Sequence, residues 1–212
     1  MTRAGRNRAP APVAGPSGGA RGGSRIVLGI SGGIAAYKAA EVVRGLVKAG
    51  AEVHVIMTPA GQRFITPLTL QTLSGQPVIT GQWDLARGTD VQHISLAREI
   101  DLFLVAPATA DVLARLAHGI ADDFLSTFYL AVTAPVAVAP AMNLWMWEHP
   151  ATQANLALLK SRGVHIIDPG VGDLACGDEG IGRMAEPDVI VEAVLALAKK
   201  KIRGRLRAAA SS

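Results

Sequence analysis

IVLGISGGIAAYK, residues 26–38, decides the fold. The apolar run Ile26–Ile30 reads as a buried parallel strand. Ser31-Gly32-Gly33 makes the turn. Ile34–Ala49 then has helical spacing, with Ala36, Ala39, Val43, Leu46 and Val47 on one side and Gly50 as the stop. Val53–Met57 is a second strand. Strand, glycine turn, helix, strand is the opening unit of a parallel sheet.

The same rhythm continues outward. Strands are expected at Leu102–Ala106, Pro135–Ala139 and Val164–Ile167, with helices at Thr109–Ala117, Pro150–Arg162 and Pro187–Lys201. Right-handed crossovers turn this into an α/β fold: one doubly wound parallel sheet, flavodoxin-like or Rossmann-like, in a single domain. Its expected bounds are 25–201. Residues 1–24, rich in Gly, Pro, Ala and Arg, read as a disordered leader, and 202–212 as a basic flexible tail. Asp168–Glu186, with Gly170, Gly172, Gly177, Gly180 and Gly182, is too long and Gly-rich for a connection and reads as a lid.

Composition removes several classes. Aromatic residues are 4% of the chain, too few for a base-stacking platform. Of the 21 Lys and Arg, eleven lie in residues 1–25 and 199–207, where there is no acid. Ten remain against all 17 acids, so the body carries a net −7, unlike a nucleic-acid-binding face. No apolar run approaches the ~18 residues of a membrane span, and no apolar core of a secretory signal follows the N-terminal arginines. The expected compartment is the cytoplasm, with no nucleic-acid and no membrane partner. Cys176 is the one cysteine, so no internal disulfide forms, and no metal site is expected.

In this architecture ligands bind beyond the carboxyl ends of the strands. Ser31, Gly32, Gly33 and Ile34 lead straight into a helix, where small residues and the helix start suit a phosphate. No Lys-Ser/Thr pair follows, so this is not a Walker loop. The second strand ends Met57-Thr58 with no acid for ribose hydroxyls, which argues against a dinucleotide. At the third strand's end, Pro107, Ala108, Thr109 and Asp111 form the next candidate turn. Thr109 reads equally as a helix cap. Asn143, at the fourth strand's end, reads as a cap or as a neutral amide for a carboxylate. His93 has the side-chain chemistry for proton transfer near neutral pH. His54, His118, His149 and His165 read as structural.

Six segments occur in order: SGGIAAYK (31–38), HISLA (93–97), PATA (107–110), GIADD (119–123), PAMN with MW (140–143, 146–147) and ACGDEGIGRM (175–184). Together they resemble the homo-oligomeric flavin-containing cysteine decarboxylases over roughly 26–198. The resemblance implies FMN, a flavodoxin-like fold, homotrimers that can build dodecamers, and active sites between subunits. It implies His93, Asn143 and Cys176 as the catalytic set, with Cys176 an acid in a flap. Ser31, Gly32, Gly33, Ile34, Thr58, Pro107, Ala108, Thr109 and Asp111 would contact FMN. Met142, Asn143, Met146, Gly182, Arg183 and Met184 would contact substrate.

The implied reaction is decarboxylation of a cysteine carboxylate. Oxidising the thiol to a thioaldehyde supplies the electron sink, and reduction of the enethiol regenerates the flavin. The nearest branch takes a phosphopantothenoyl cysteine in coenzyme A synthesis. The alternative branch takes the C-terminal cysteine of a peptide natural product and releases the enethiol. A non-catalytic flavoprotein subunit would not need His93, Asn143 and Cys176 together, and a flavin prenyltransferase would not need the PAMN and ACG segments. Asp111 stands where the family usually has Asn, which adds a negative charge near the expected flavin. Bacterial members are commonly fused to a ligase domain, whereas this chain stops soon after Lys201, so the ligase is expected to be separate or the chain a stand-alone relative.

Overall fold

The computed structural model describes residues 23–81, 92–173 and 179–210. Five strands form one parallel sheet: β1 (Arg25–Ile30), β2 (Glu52–Met57), β3 (Leu102–Ala108), β4 (Val136–Pro140) and β5 (His165–Ile166), in the order β2-β1-β3-β4-β5. This is the flavodoxin-like order, whose winding direction reverses between β1 and β3. The expected α/β fold is the observed one.

Alternation along the strands loads both faces. Ile26, Leu28 and Ile30 of β1 pack with Val42, Val43 and Leu46 of α1 (Ala39–Lys48). The same layer holds Ile190, Val194 and Ala198 of the C-terminal helix. On the other face Val27, Phe103 and Val105 meet Val112, Leu113 and Leu116, with Phe128 edge-on to Phe103 at 5.0 Å. Each such side chain fully removed from water contributes about 1.5–3 kcal/mol.

Four differences from the sequence expectation matter. The first helix begins as a tighter 3-10 turn, Ile34–Lys38, before α1 starts at Ala39. Three helices were not expected: α2 (Pro67–Ser74), and further on Phe124–Ala131 and Leu144–Glu148. In chain order the remaining helices are α3 (Gln92–Glu99), α4 (Ala110–His118), α5 (Phe124–Ala131), α6 (Leu144–Glu148), α7 (Pro150–Ser161) and α8 (Pro187–Ala210). The Gly-rich segment expected as a lid contains an antiparallel pair, β6 (Gly170–Asp173) and β7 (Glu179–Arg183). Finally, α8 continues past Lys201 to Ala210, because Lys, Arg, Leu and Ala favour helix and basic residues suit a helix C-terminus. Residues 1–22 and 211–212, and with them most of the expected leader, lie outside the described residues.

Candidate active site

The polar residues at the carboxyl ends of β1 and β3 tie those strands together. Ser31, 1% exposed, donates its hydroxyl to the Pro107 carbonyl at 2.7 Å and accepts from the Thr109 N–H at 3.1 Å. Thr109 in turn caps α4, accepting from the Val112 N–H. Pro107 and Ala108, expected beside the flavin, are the last two residues of β3. Both are buried in the sheet, and neither lines the cavity described below. They act from behind, through the Pro107 carbonyl.

Beyond this brace the backbone is bare for a steric reason. A Cβ on Gly32 would sit 2.4 Å from the Ala60 Cβ, and one on Gly33 would sit 3.3 Å from the Thr109 side chain. Thr58 shapes the facing loop: its Oγ1 accepts from the Gly61 N–H at 3.0 Å, and its own N–H donates to the Ile30 carbonyl at 3.0 Å. The helical turn begins at Gly33, and the first N–H groups of such a turn have no partner within it. Bare backbone, a helix start and flanking hydroxyls suit the phosphate of a nucleotide.

The opposite wall is built by the turn after β4. Asn143 caps α6, its Oδ1 accepting from the Trp145 N–H at 2.8 Å. That fixes which way the amide faces. The Met142 N–H donates to the Gly182 carbonyl of β7 at 2.9 Å. Gly182 has φ +138, and a Cβ there would lie 2.4 Å from the Met142 carbonyl. Gly180 approaches Leu144 of α6 almost as closely, at 3.0 Å. The glycines of the expected lid therefore let β7 dock against the Asn143 turn.

Between these walls lies a cavity of about 980 Å³. The expected residues that line it are Ser31, Gly32, Gly33, Ile34, Thr58, Thr109, Asp111, Met142, Asn143, Met146, Gly182, Arg183 and Met184. Its size and mostly apolar wall fit a small-molecule or cofactor site. Two expected catalytic residues are not placed by this geometry. His93 lies on α3, and its side chain is outside the described residues; Cys176 is outside them altogether. No group among the described residues gathers three His, Cys, Asp or Glu able to hold a metal ion.

Beyond Asp111 and Arg183, the charge on the walls was not foreseen. Arg115 of α4 pairs with Asp111 at 3.1 Å, Asp122 at 2.6 Å and Asp123 at 3.7 Å, and all four line the cavity. Burial works to lower the Arg115 pKa, but these carboxylates outweigh it and raise the value. The negative charge expected from Asp111 is thus met by Arg115 one helical turn away. Across the cavity Lys38, 7% exposed, holds both oxygens of Glu186 at 3.0 and 3.1 Å. Arg183 reaches the same carboxylate at 3.1 Å. Tyr37, Lys38, Ala60, Arg115, Asp122 and Asp123 are wall residues that the sequence reading did not select. The four-residue spacing of Asp111 and Arg115 was a usable signal; the pairing of Lys38 with Glu186, 148 positions away, was not.

The family described as Flavoprotein matches residues 15–199 of the chain. The coenzyme A biosynthesis bifunctional protein CoaBC of Vibrio vulnificus is 54% identical over 169 residues, covering 80% of this chain and 42% of that protein. This chain therefore spans about two fifths of the length of such curated relatives. Among solved structures, a mutant PPC decarboxylase complexed with pantothenoylaminoethenethiol has a TM-score of 0.73 at 34% identity, over 81% of this chain and 96% of that one. The FMN-dependent cysteine decarboxylase SpaF has a TM-score of 0.74 at 28% identity, over 86% and 99%.

Proposed function

The chain belongs to the Flavoprotein family, and from that premise we propose that it is an FMN-dependent decarboxylase of a cysteine carboxylate, acting on phosphopantothenoylcysteine in coenzyme A synthesis. One observation carries the reading. A cavity at the β1/β3 reversal has a bare Gly32-Gly33 corner on one side and the Asn143 turn on the other. The identity to CoaBC and the likeness to PPC decarboxylase support the substrate. A peptide ending in cysteine is the second reading; SpaF, a cysteine decarboxylase by name, is less similar in sequence than PPC decarboxylase.

Gly32, Gly33 and Ile34 hold the flavin phosphate through backbone N–H groups, with Thr58 and Thr109 bounding the loop. When bound, the flavin supplies a two-electron acceptor that converts the substrate thiol to a thioaldehyde, the sink that lets carbon dioxide leave. Asn143, whose Oδ1 caps α6, binds the substrate carboxylate through its amide N–H. A neutral donor suits this role, because a fixed cation would stabilise the carboxylate more than the departing neutral carbon dioxide. His93 takes the thiol proton or orients the thiol. Cys176 returns a proton to the enethiol on the way to the aminoethyl thiol product.

The same reading includes a homotrimer in the cytoplasm. Trp145 at 69% and Leu68 at 71% exposure, with Leu130 and Ile120, are large apolar side chains left at the surface of one subunit. No helix among the described residues is long and apolar enough to cross a membrane.

The test is direct. The purified protein is incubated with phosphopantothenoylcysteine and, separately, with a Cys-terminated peptide, and the mass change is read. Loss of carbon dioxide alone from the first compound is the expected result. Loss of carbon dioxide plus two hydrogens from the peptide alone selects the second reading, and no loss from either ends both.

A further inference from the structure

The cavity is electrostatically lopsided. On the α4 side, three carboxylates face the single guanidinium of Arg115. On the β7 side, two cations, Lys38 and Arg183, share the single carboxylate of Glu186. Lys38 is buried and takes both oxygens of that carboxylate. Among the described residues, the positive charge left unmatched therefore lies with Arg183, whose side chain is 44% exposed.

We propose that Arg183 is the specificity-determining residue that receives the remote phosphate of the substrate, with Glu186 as its positioning partner. The inference rests on the decarboxylase reading and adds a recognition element for the end of the substrate that does not react.

Three observations support it. Arg183 follows Gly182, whose carbonyl accepts from Met142, so the guanidinium belongs to the strand stitched to the Asn143 turn. Asn143 and Arg183 line the same cavity. Next, Nη2 of Arg183 faces Glu186 while Nη1 lies over Gly172 of β6, where a Cβ would be 3.5 Å away. The planar fork is thus held at the cavity wall and suits a phosphate better than an ammonium would. Lastly, Lys38 retains Glu186 in its own bidentate pair, so a phosphate can take the place of Glu186 at Arg183 without stranding that carboxylate. The acid-rich α4 wall repels the same phosphate and fixes the sense in which a long, doubly anionic substrate lies.

The test is calorimetric titration of the flavin-loaded protein with phosphopantetheine and with pantetheine, in the wild type, Arg183→Met and Arg183→Lys. Flavin absorbance reports cofactor retention in each. The wild type is expected to favour the phosphorylated thiol by about tenfold, less at high salt. Arg183→Met removes the preference by lowering phosphopantetheine affinity far more than pantetheine affinity, while Arg183→Lys keeps part of it. A preference that persists in Arg183→Met, or equal losses for both thiols, overturns the assignment. So does a wild type with no preference. Decarboxylation followed in parallel separates the two levels. A wild type that releases carbon dioxide but fails these criteria loses only the role of Arg183, and one that releases none loses the functional reading and this inference with it.

Discussion

The two ends of the parallel sheet use similar polar residues to opposite effect. At the amino ends the groups close on one another. Arg25 starts β1, and its backbone N–H donates to Asp101 at 2.9 Å. Its guanidinium pairs with Glu52 of β2 at 3.0 Å and with Glu99 of α3. Glu52 also meets His54 at 2.8 Å. Nearby, Arg162 donates to the Ala117 carbonyl at the end of α4. At the carboxyl ends Ser31, Thr109 and Asn143 instead bracket a cavity of about 980 Å³. The winding explains the contrast. Each crossover helix starts where its strand ends, so helix N-termini and their unpaired N–H groups gather at the carboxyl ends. Helix C-termini collect at the amino ends, where carbonyls draw arginines. One end is disposed to bind anions and the other to be stapled shut.

Substitutions can break this contrast, and the site end should show the larger functional effects. Gly32→Val drives a side chain into Ala60, a clash of the kind that costs about 1–3 kcal/mol. The expected outcome is protein that purifies without flavin and lacks decarboxylation, with a melting temperature only a few degrees below that of the apo wild type. Asn143→Asp keeps an acceptor for the α6 cap but removes the amide donors and adds a charge. Decarboxylation should fall on the order of a hundredfold with little change in melting temperature, the loss typical of one catalytic donor. If activity survives, Asn143 is only a cap.

At the amino end the signs reverse. Arg25→Ala removes the guanidinium that pairs with Glu52 and Glu99 and should cost about 2 kcal/mol in chemical denaturation. The kcat and flavin content should be unchanged, and a fall in either would mean that the two ends are coupled. The smallest effect is in acid. Burial works to raise the Glu52 pKa, yet the hydrogen bond from His54 and the pairing with Arg25 outweigh it and hold it below the ordinary 4.5. A lowered folded value stabilises above about pH 4.5 and loses that contribution as pH falls through it. Glu52→Gln should therefore lower the melting temperature at neutral pH and narrow its difference from wild type below pH 4. Parallel acid curves would remove Glu52 from the staple.

How readily each element could be read follows from how local its cause is. β1, β2 and β4 are short apolar runs between turn residues, and α1, α7 and α8 carry clear boundaries such as Gly50, Pro150 and Pro187. α5 was missed because Phe124–Ala131 is apolar nearly all round, which leaves no helical stripe to detect. Its start signal was nonetheless present: Asp123 and Ser126 form a reciprocal capping pair. The β6–β7 pair was hidden because the β7 glycines answer to Met142 and Leu144 and those of β6 to Arg183, not to their own strand. The burial of Pro107 and Ala108 was not legible, because a motif does not reveal which of its residues face the core.

Alternating apolar runs and glycine turns were enough to specify the parallel sheet, and six ordered segments were enough to mark the neighbourhood of the site. Both are local, since a strand's faces and a turn's backbone depend on residues a few positions apart. Tertiary structure alone decided that Gly182 exists for Met142 and that Lys38 reaches the carboxylate of Glu186. Those facts depend on which crossovers bring distant strand ends together, and Coulomb and steric forces act only at that separation, whatever the distance along the chain.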